Sequence, residues 1–144
     1  MQDTYIHAPT HLCGGGPMSL PWVRLDSNIA SHDKITALLS YKDGHKSFTL
    51  YVCALGWSGG HGTDGFIPHH VLPLIHGNPK LAQNLVAFHL WDEAVGGWKI
   101  HNYEQRQELA VVAEMKRAGK AAAGRKSQCV QRHGPACGCW MESA

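Results

Sequence analysis

Residues 64–103, DGFIPHHVLPLIHGNPKLAQNLVAFHLWDEAVGGWKIHNY, decide how the rest of the chain is read. Gly65-Phe66-Ile67 is too short for a helix and reads as a strand. Pro68 stands where a first helical turn tolerates proline, because that N–H would be unpaired anyway. Val71, Leu72, Leu74 and Ile75 give a short helix an apolar stripe, and Gly77 suits a left-handed helix end. Asn78 is a good N-cap with Pro79 at the first helical position. Leu81, Ala82, Leu85, Val86, Phe88 and His89 then share one helical face, with Lys80, Gln83, Asn84 and Ala87 on the other. After Trp91 the period changes. Gly96-Gly97 between Val95 and Trp98 signals a two-residue hairpin. Trp98, Ile100 and Asn102 alternate against Lys99, His101 and Tyr103 as in a strand.

Strand, helix, turn, helix and hairpin follow in the order of a winged helix-turn-helix, so the expected class is α+β with a C-terminal basic helix. Upstream, residues 22–26 read as extended. Ser31 is a candidate N-cap with Asp33 in the first turn, and Ile35, Leu38 and Leu39 give the first helix its apolar face. Tyr41 to Gly44 breaks it. Residues 45–57 form a second helix with Phe48, Tyr51, Val52, Leu55 and Trp57 facing inward and Cys53 as a core thiol. Ser58 to Gly62 reads as a loop. The expected core is Trp22, Leu38, Val52, Leu55, Leu72, Leu85, Phe88, Trp91 and Ile100.

The chain of 144 residues is long enough for one domain with tails. We divide it into an N-terminal extension 1–17, expected to be disordered, the winged helix 18–107, a basic helical extension 108–126 and a Cys/His tail 127–144. Gly14-Gly15-Gly16-Pro17 breaks the chain just before Met18; the expectation is that translation starts at Met18, with the glycine triplet a translated ribosome-binding site, and Met1 is the alternative start. His7, His11 and Cys13 offer the donor types of a metal site, against which chance proximity in a flexible segment is the favoured reading. No run of about eighteen apolar residues exists, and the first residues lack the pattern of a signal peptide, so the expected location is cytoplasmic.

Charge is uneven. Residues 1–114 carry 7 Lys+Arg and 10 Asp+Glu, a net of −3, while residues 115–144 carry 6 and 1, a net of +5. Attraction for a polyanion therefore concentrates in the last thirty residues. Residues 104–123 are rich in helix formers. Leu109, Val112 and Ala113 would pack on the core or on a second copy, leaving Lys116, Arg117 and Lys120 to solvent or phosphate, with fraying at Gly119 and Gly124.

Cys129, His133, Cys137 and Cys139 form the pattern C-x3-H-x3-C-x-C. Three thiols and an imidazole are the ligand set of a closed structural zinc site. Reduced, uncoordinated cysteines in a loose tail are the other reading of the same residues. Enzyme chemistry finds no support: H-E-x-x-H, G-x-S-x-G and a phosphate-binding loop are all absent. The tail also lacks the second histidine and the asparagine of an HNH nuclease. Adjacent His69 and His70 point about 100° apart on a helix and would not share an ion.

The runs PWVRLDSNIASHDKITALL, LYVCALGWSGGHGTDGFIPHHVLPLIHG and LVAFHLWDEAVGGWKIHNYEQRQ resemble the N-terminal winged helix of bacteriophage replication-initiation and replisome-organiser proteins. The resemblance covers about residues 20–107 and is nearest to small helix-turn-helix proteins of actinobacterial phages. It implies binding of double-stranded DNA in replication or gene control, with 79–89 as recognition helix and 91–103 as wing. Lys80, Gln83 and Asn84 would then meet the major groove, Lys99 and His101 the backbone or minor groove. Lys116, Arg117, Lys120, Arg125, Lys126 and Arg132 would meet phosphates. The alternative is a module that docks on a replication protein such as a helicase or its loader. Homodimer formation is compatible with either.

Overall fold

The computed structural model describes residues 19–141. The extension 1–17, the Met18 start and the His7, His11 and Cys13 group lie outside the described residues. The architecture is α+β: five α-helices and one three-stranded antiparallel sheet among the described residues.

A 3₁₀ turn at Ile29–Ser31 leads into α1, Asp33–Leu39. Its N-cap is His32, one residue later than expected, because Ser31 is used by the preceding turn. The chain reverses through Asp43, whose backbone is left-handed (φ 60°). α2 spans Gly44–His61 and runs four residues beyond its expected end at Trp57. The expected loop is helical up to the left-handed C-cap Gly62, and Gly59 lets the N-terminal segment lie against the added turn. A Cβ there would stand 2.5 Å from Val23 Cγ1, and the Leu20 N–H donates to the Gly59 carbonyl at 2.7 Å. Ser58 is wholly buried yet satisfied, accepting from the Gly65 N–H and the Thr63 hydroxyl. The inward face of α2 is Ser47, Leu50, Ala54, Leu55 and Ser58. Val52, expected inside, is 37% exposed.

β1, Phe66–Pro68, is followed by His69–Ile75, a 3₁₀ helix where an α-helix was expected. Pro73, inside it, has no N–H to give. The left-handed residue that ends it is His76 (φ 62°), not Gly77. Glycine is needed at 77 for another reason: a Cβ would lie 2.5 Å from Leu50 Cδ1. Leu74, expected in the apolar stripe, is 70% exposed.

α3, Pro79–Ala87, starts where the sequence requires, with Asn78 Oδ1 accepting the Leu81 N–H at 3.1 Å. It buries Leu81, Ala82 and Leu85 against α2. His89, expected on that face, follows the helix, is left-handed and is exposed. β2, Trp91–Ala94, and β3, Gly97–Ile100, form the hairpin. Its turn is Val95-Gly96, one residue earlier than expected, because Ala94 pairs with Gly97. Gly97 belongs to the central strand, where a Cβ would stand 2.1 Å from the Ile67 carbonyl oxygen. The strand order is β1-β3-β2.

Leu38, Leu50, Ile67, Leu72, Leu85, Trp91 and Ile100 form the centre of the core. Trp22, expected there, is 62% exposed, and Phe88 is half-buried, edge-on to Tyr41. The strand alternation stops at Asn102, which is left-handed and exposed. Tyr103, expected outside, is buried against Gly65. The expected helix 104–123 is two elements: a single turn α4, Tyr103–Arg106, and α5, Ala110–His133. Buried Gln107 separates them. α5 passes through Gly119 and Gly124 and ends ten residues after the expected limit. Of the residues expected to pack, Leu109 and Ala113 are half-buried, whereas Val112 is exposed, as are Val111 and Met115 beside it. No helix among the described residues is long and apolar enough to cross a membrane.

Candidate nucleic-acid interface and thiol cluster

The exposed side of α3 holds Lys80, Gln83 and Ala87. Asn84, placed on that side by its spacing, turns towards α2. Its amide donates to Ser47 Oγ at 3.1 Å and to the Lys42 carbonyl at 3.4 Å, satisfying a buried hydroxyl. Lys80 Nζ lies 3.1 Å from Asp43 Oδ2, and Lys46 Nζ lies 3.1 Å from Asp43 Oδ1. The hydrogen bond from Lys80, then that from Lys46, holds the Asp43 carboxyl below the usual carboxylate range. Two lysines, 46 and 80, thus share one carboxylate where α2 and α3 begin, and exposed Lys42 precedes it in sequence. Sequence reading missed Lys46. No spacing rule links it to Lys80; the packing of α2 on α3 does.

The two basic side chains of the hairpin are both paired with acids. Lys99 Nζ meets Glu104 Oε1 at 2.7 Å, and His101 Nδ1 meets Asp92 Oδ2 at 2.8 Å. Asp92 and Glu93 are exposed on β2, and the turn residue Val95 is fully exposed.

On α5, Lys116 pairs with Glu108 at 2.5 Å. Arg117 pairs with Glu114 at 2.9 Å and donates to the Ser19 carbonyl at 2.6 Å. Residues 115–128 are exposed throughout. At about 100° per residue, Lys116 and Lys120 lie on one side and Arg125 and Arg132 on the opposite one. The helix is basic around its circumference rather than along one half.

The last turn of α5 carries Cys129, and a 3₁₀ turn at Cys139–Met141 folds back beside it. Gly134 (φ 82°) and Gly138 (φ 68°) make the reversal possible. Cys129 Sγ and Cys139 Sγ are 2.7 Å apart, Cys137 Sγ and Cys139 Sγ 3.0 Å. The three sulfurs lie within 4.8 Å of one another. Hydrogen bonding with Cys139, which favours the Cys137 thiolate as acceptor, holds the Cys137 thiol below its ordinary value. Hydrogen bonding with Cys129 first, then with Cys137, pushes Cys139 up to about 12. His133, the fourth member of the sequence pattern, is exposed one helical turn after Cys129, and its ring nitrogens do not converge with the thiols. Three converging thiols suit a thiophilic cation such as zinc.

No known protein family, curated protein or solved structure matches this chain.

Proposed function

We propose that the chain is a DNA-binding protein built on a winged helix-turn-helix, of the phage type that acts in replication initiation or gene control. α3 is the helix offered to the duplex. The reading rests on the order strand, 3₁₀ helix, α3, hairpin, on the β1-β3-β2 pairing, and above all on Lys46 and Lys80 brought together at the start of α3. Gln83 is the base reader, since glutamine makes a paired contact with adenine in the major groove. Asn84, engaged with Ser47, supports the helix instead of reading bases. Lys42, Lys46 and Lys80 hold phosphates near α3. Lys99 and His101 approach the backbone from the wing. Lys116, Arg117, Lys120, Arg125, Lys126 and Arg132 supply the remaining sequence-independent attraction.

In this reading the thiols of Cys129, Cys137 and Cys139 hold one structural zinc, with His133 swinging in as fourth ligand. A protein so built works in the host cytoplasm.

The rival is a protein-interaction module. Exposed Asp92 and Glu93 on β2 and exposed Leu74 favour it, because an acidic hairpin repels a phosphate backbone. Replacing Lys42, Lys46 and Lys80 by Gln separates the two. Removing one lysine–phosphate pair should lower the slope of log affinity against log salt by about 0.9 on duplex DNA. A slope unchanged by the triple replacement would remove α3 from the interface.

A further inference from the structure

We propose that the cleft between residues 20–24 and α5 takes an unpaired nucleotide of single-stranded nucleic acid, its base stacked on Trp22 and its phosphates held by Arg24, Lys116 and Lys120. The inference rests on the reading of the chain as a nucleic-acid-binding protein and adds a second, single-stranded site to it.

The cleft has a volume of about 360 Å3, at the small end of the roughly 300–1,000 Å3 common for ligand sites. Leu20, Pro21 and Trp22 form one wall, Ala113 and the basic residues of α5 the other. Four cations, Arg24, Lys116, Arg117 and Lys120, line it against the single acid Glu108. Trp22 leaves 62% of its surface to solvent although the core does not need it. The Arg24 guanidinium lies 5.7 Å from its ring centroid.

The N-terminal wall is fixed to the domain, and one side chain ties α5 to it. Leu20 is tied to Gly59, the Arg24 backbone is clamped by Gln107, and Arg117 reaches across to the Ser19 carbonyl. An aromatic face beside a group of cations is the recognition element for a base together with its phosphate. A duplex offers the phosphates, but its bases are stacked inside and give Trp22 no face to meet. A single strand offers both.

Fluorescence anisotropy on the full chain tests this with labelled oligothymidylate and a mixed-sequence duplex. Trp22→Ala should weaken oligothymidylate binding by about ten-fold, the loss of one base stack, and leave duplex binding unchanged. Trp22→Phe should restore most of the loss. Lys116→Gln with Lys120→Gln should lower the salt slope on the single strand by about 0.7 for every phosphate no longer neutralised. An oligouridylate arm separates DNA from RNA as the preferred strand.

Failure of the wild-type chain to bind either single strand overturns the inference. So does binding by Trp22→Ala equal to wild type. Duplex binding without single-strand binding sinks this site alone. Single-strand binding through Trp22 without duplex binding keeps this site and sinks the winged-helix reading. Thermal melting of Trp22→Ala checks its fold; if it is unfolded, Trp22→Phe and the lysine pair carry the test.

Discussion

The carboxylate of Asp64 accepts the backbone N–H of Ala110 at 2.9 Å. Ala110 is the first residue of α5, so a side chain 46 positions earlier satisfies one of the helix's unpaired donors. α5 has little other packing on the domain, as its residues from 115 to 128 are exposed. Asp64 itself is left-handed (φ 49°), a conformation that, glycine aside, Asn and Asp tolerate best.

Asp64→Ala should therefore cost about 1–2 kcal/mol through loss of the cap and strain at a left-handed residue. Asp64→Asn keeps an acceptor and should cost much less. Amide hydrogen exchange is the readout: the first turns of α5 should lose protection in Asp64→Ala while α2 keeps it.

Gln107 holds the N-terminal segment in the same manner. Its Oε1 accepts the Arg24 N–H at 2.8 Å and its Nε2 donates to the Arg24 carbonyl at 2.7 Å. Gln107→Ala leaves both backbone groups without their partner and should destabilise by about 1–3 kcal/mol, read by urea unfolding. A change within error would mean that the segment is held by Val23 and Leu20 alone.

Gly96 and Gly97 are neighbours with opposite tolerances. Gly97→Ala drives a methyl into the Ile67 carbonyl, backbone against backbone, and should cost about 3 kcal/mol or more. Gly96→Ala has open space and meets only the left-handed penalty, about 1–2 kcal/mol. Equal melting temperatures for the two variants would contradict the hairpin register.

This pair also marks what sequence reading could reach. The double glycine announced a hairpin, and Asn78-Pro79 fixed the start of α3, because both signals are local backbone chemistry. The choice between Val95-Gly96 and Gly96-Gly97 depends on how closely β1 approaches β3, a pairing of segments about thirty residues apart in sequence. Burial of Tyr103, exposure of Trp22 and the turning of Asn84 to Ser47 are likewise set by partners that periodicity does not contain. In the candidate interface Lys80 was legible from its helix, whereas Lys46 reaches it only through the packing of α2 on α3. The thiols were legible as a pattern. Helical extension to His133 was not, since Gly119 and Gly124 argued for an earlier end.

Asp43 sits between Lys46 and Lys80. Its carboxyl is lowered by the two lysines, so the small stability this gives is present at neutral pH. It is lost as pH falls through the depressed value. The pair is exposed, so the effect on folding is slight. Its effect on binding should be larger: Asp43→Asn removes the acid from the lysine group and keeps a residue suited to φ 60°. Duplex affinity at low salt should rise several-fold with little change in melting temperature. No rise would mean that the lysines do not face the DNA.

Zinc should bind in a ratio of one per chain. Zn–S bonds of about 2.3 Å would spread tetrahedral thiolates to about 3.8 Å, an opening of about 1 Å from the present separations. Cys137→Ser should abolish retention on dialysis, and His133→Ala should weaken it, whereas His133→Cys should keep it. Retention should fall as the pH is lowered, because the ligands must be deprotonated. Full reactivity of all three thiols with a disulfide reagent, in chain prepared with zinc, would rule the site out.

The most direct measurement compares wild type with Gln83→Ala on two duplexes: one selected by the full chain from a random library, and a scrambled sequence of the same length. Wild type should prefer the selected duplex, and Gln83→Ala should bind both alike, at the affinity wild type has for the scrambled one. A chain that binds neither duplex at low salt, or a Gln83→Ala variant that keeps the full preference, would contradict α3 as the reading helix.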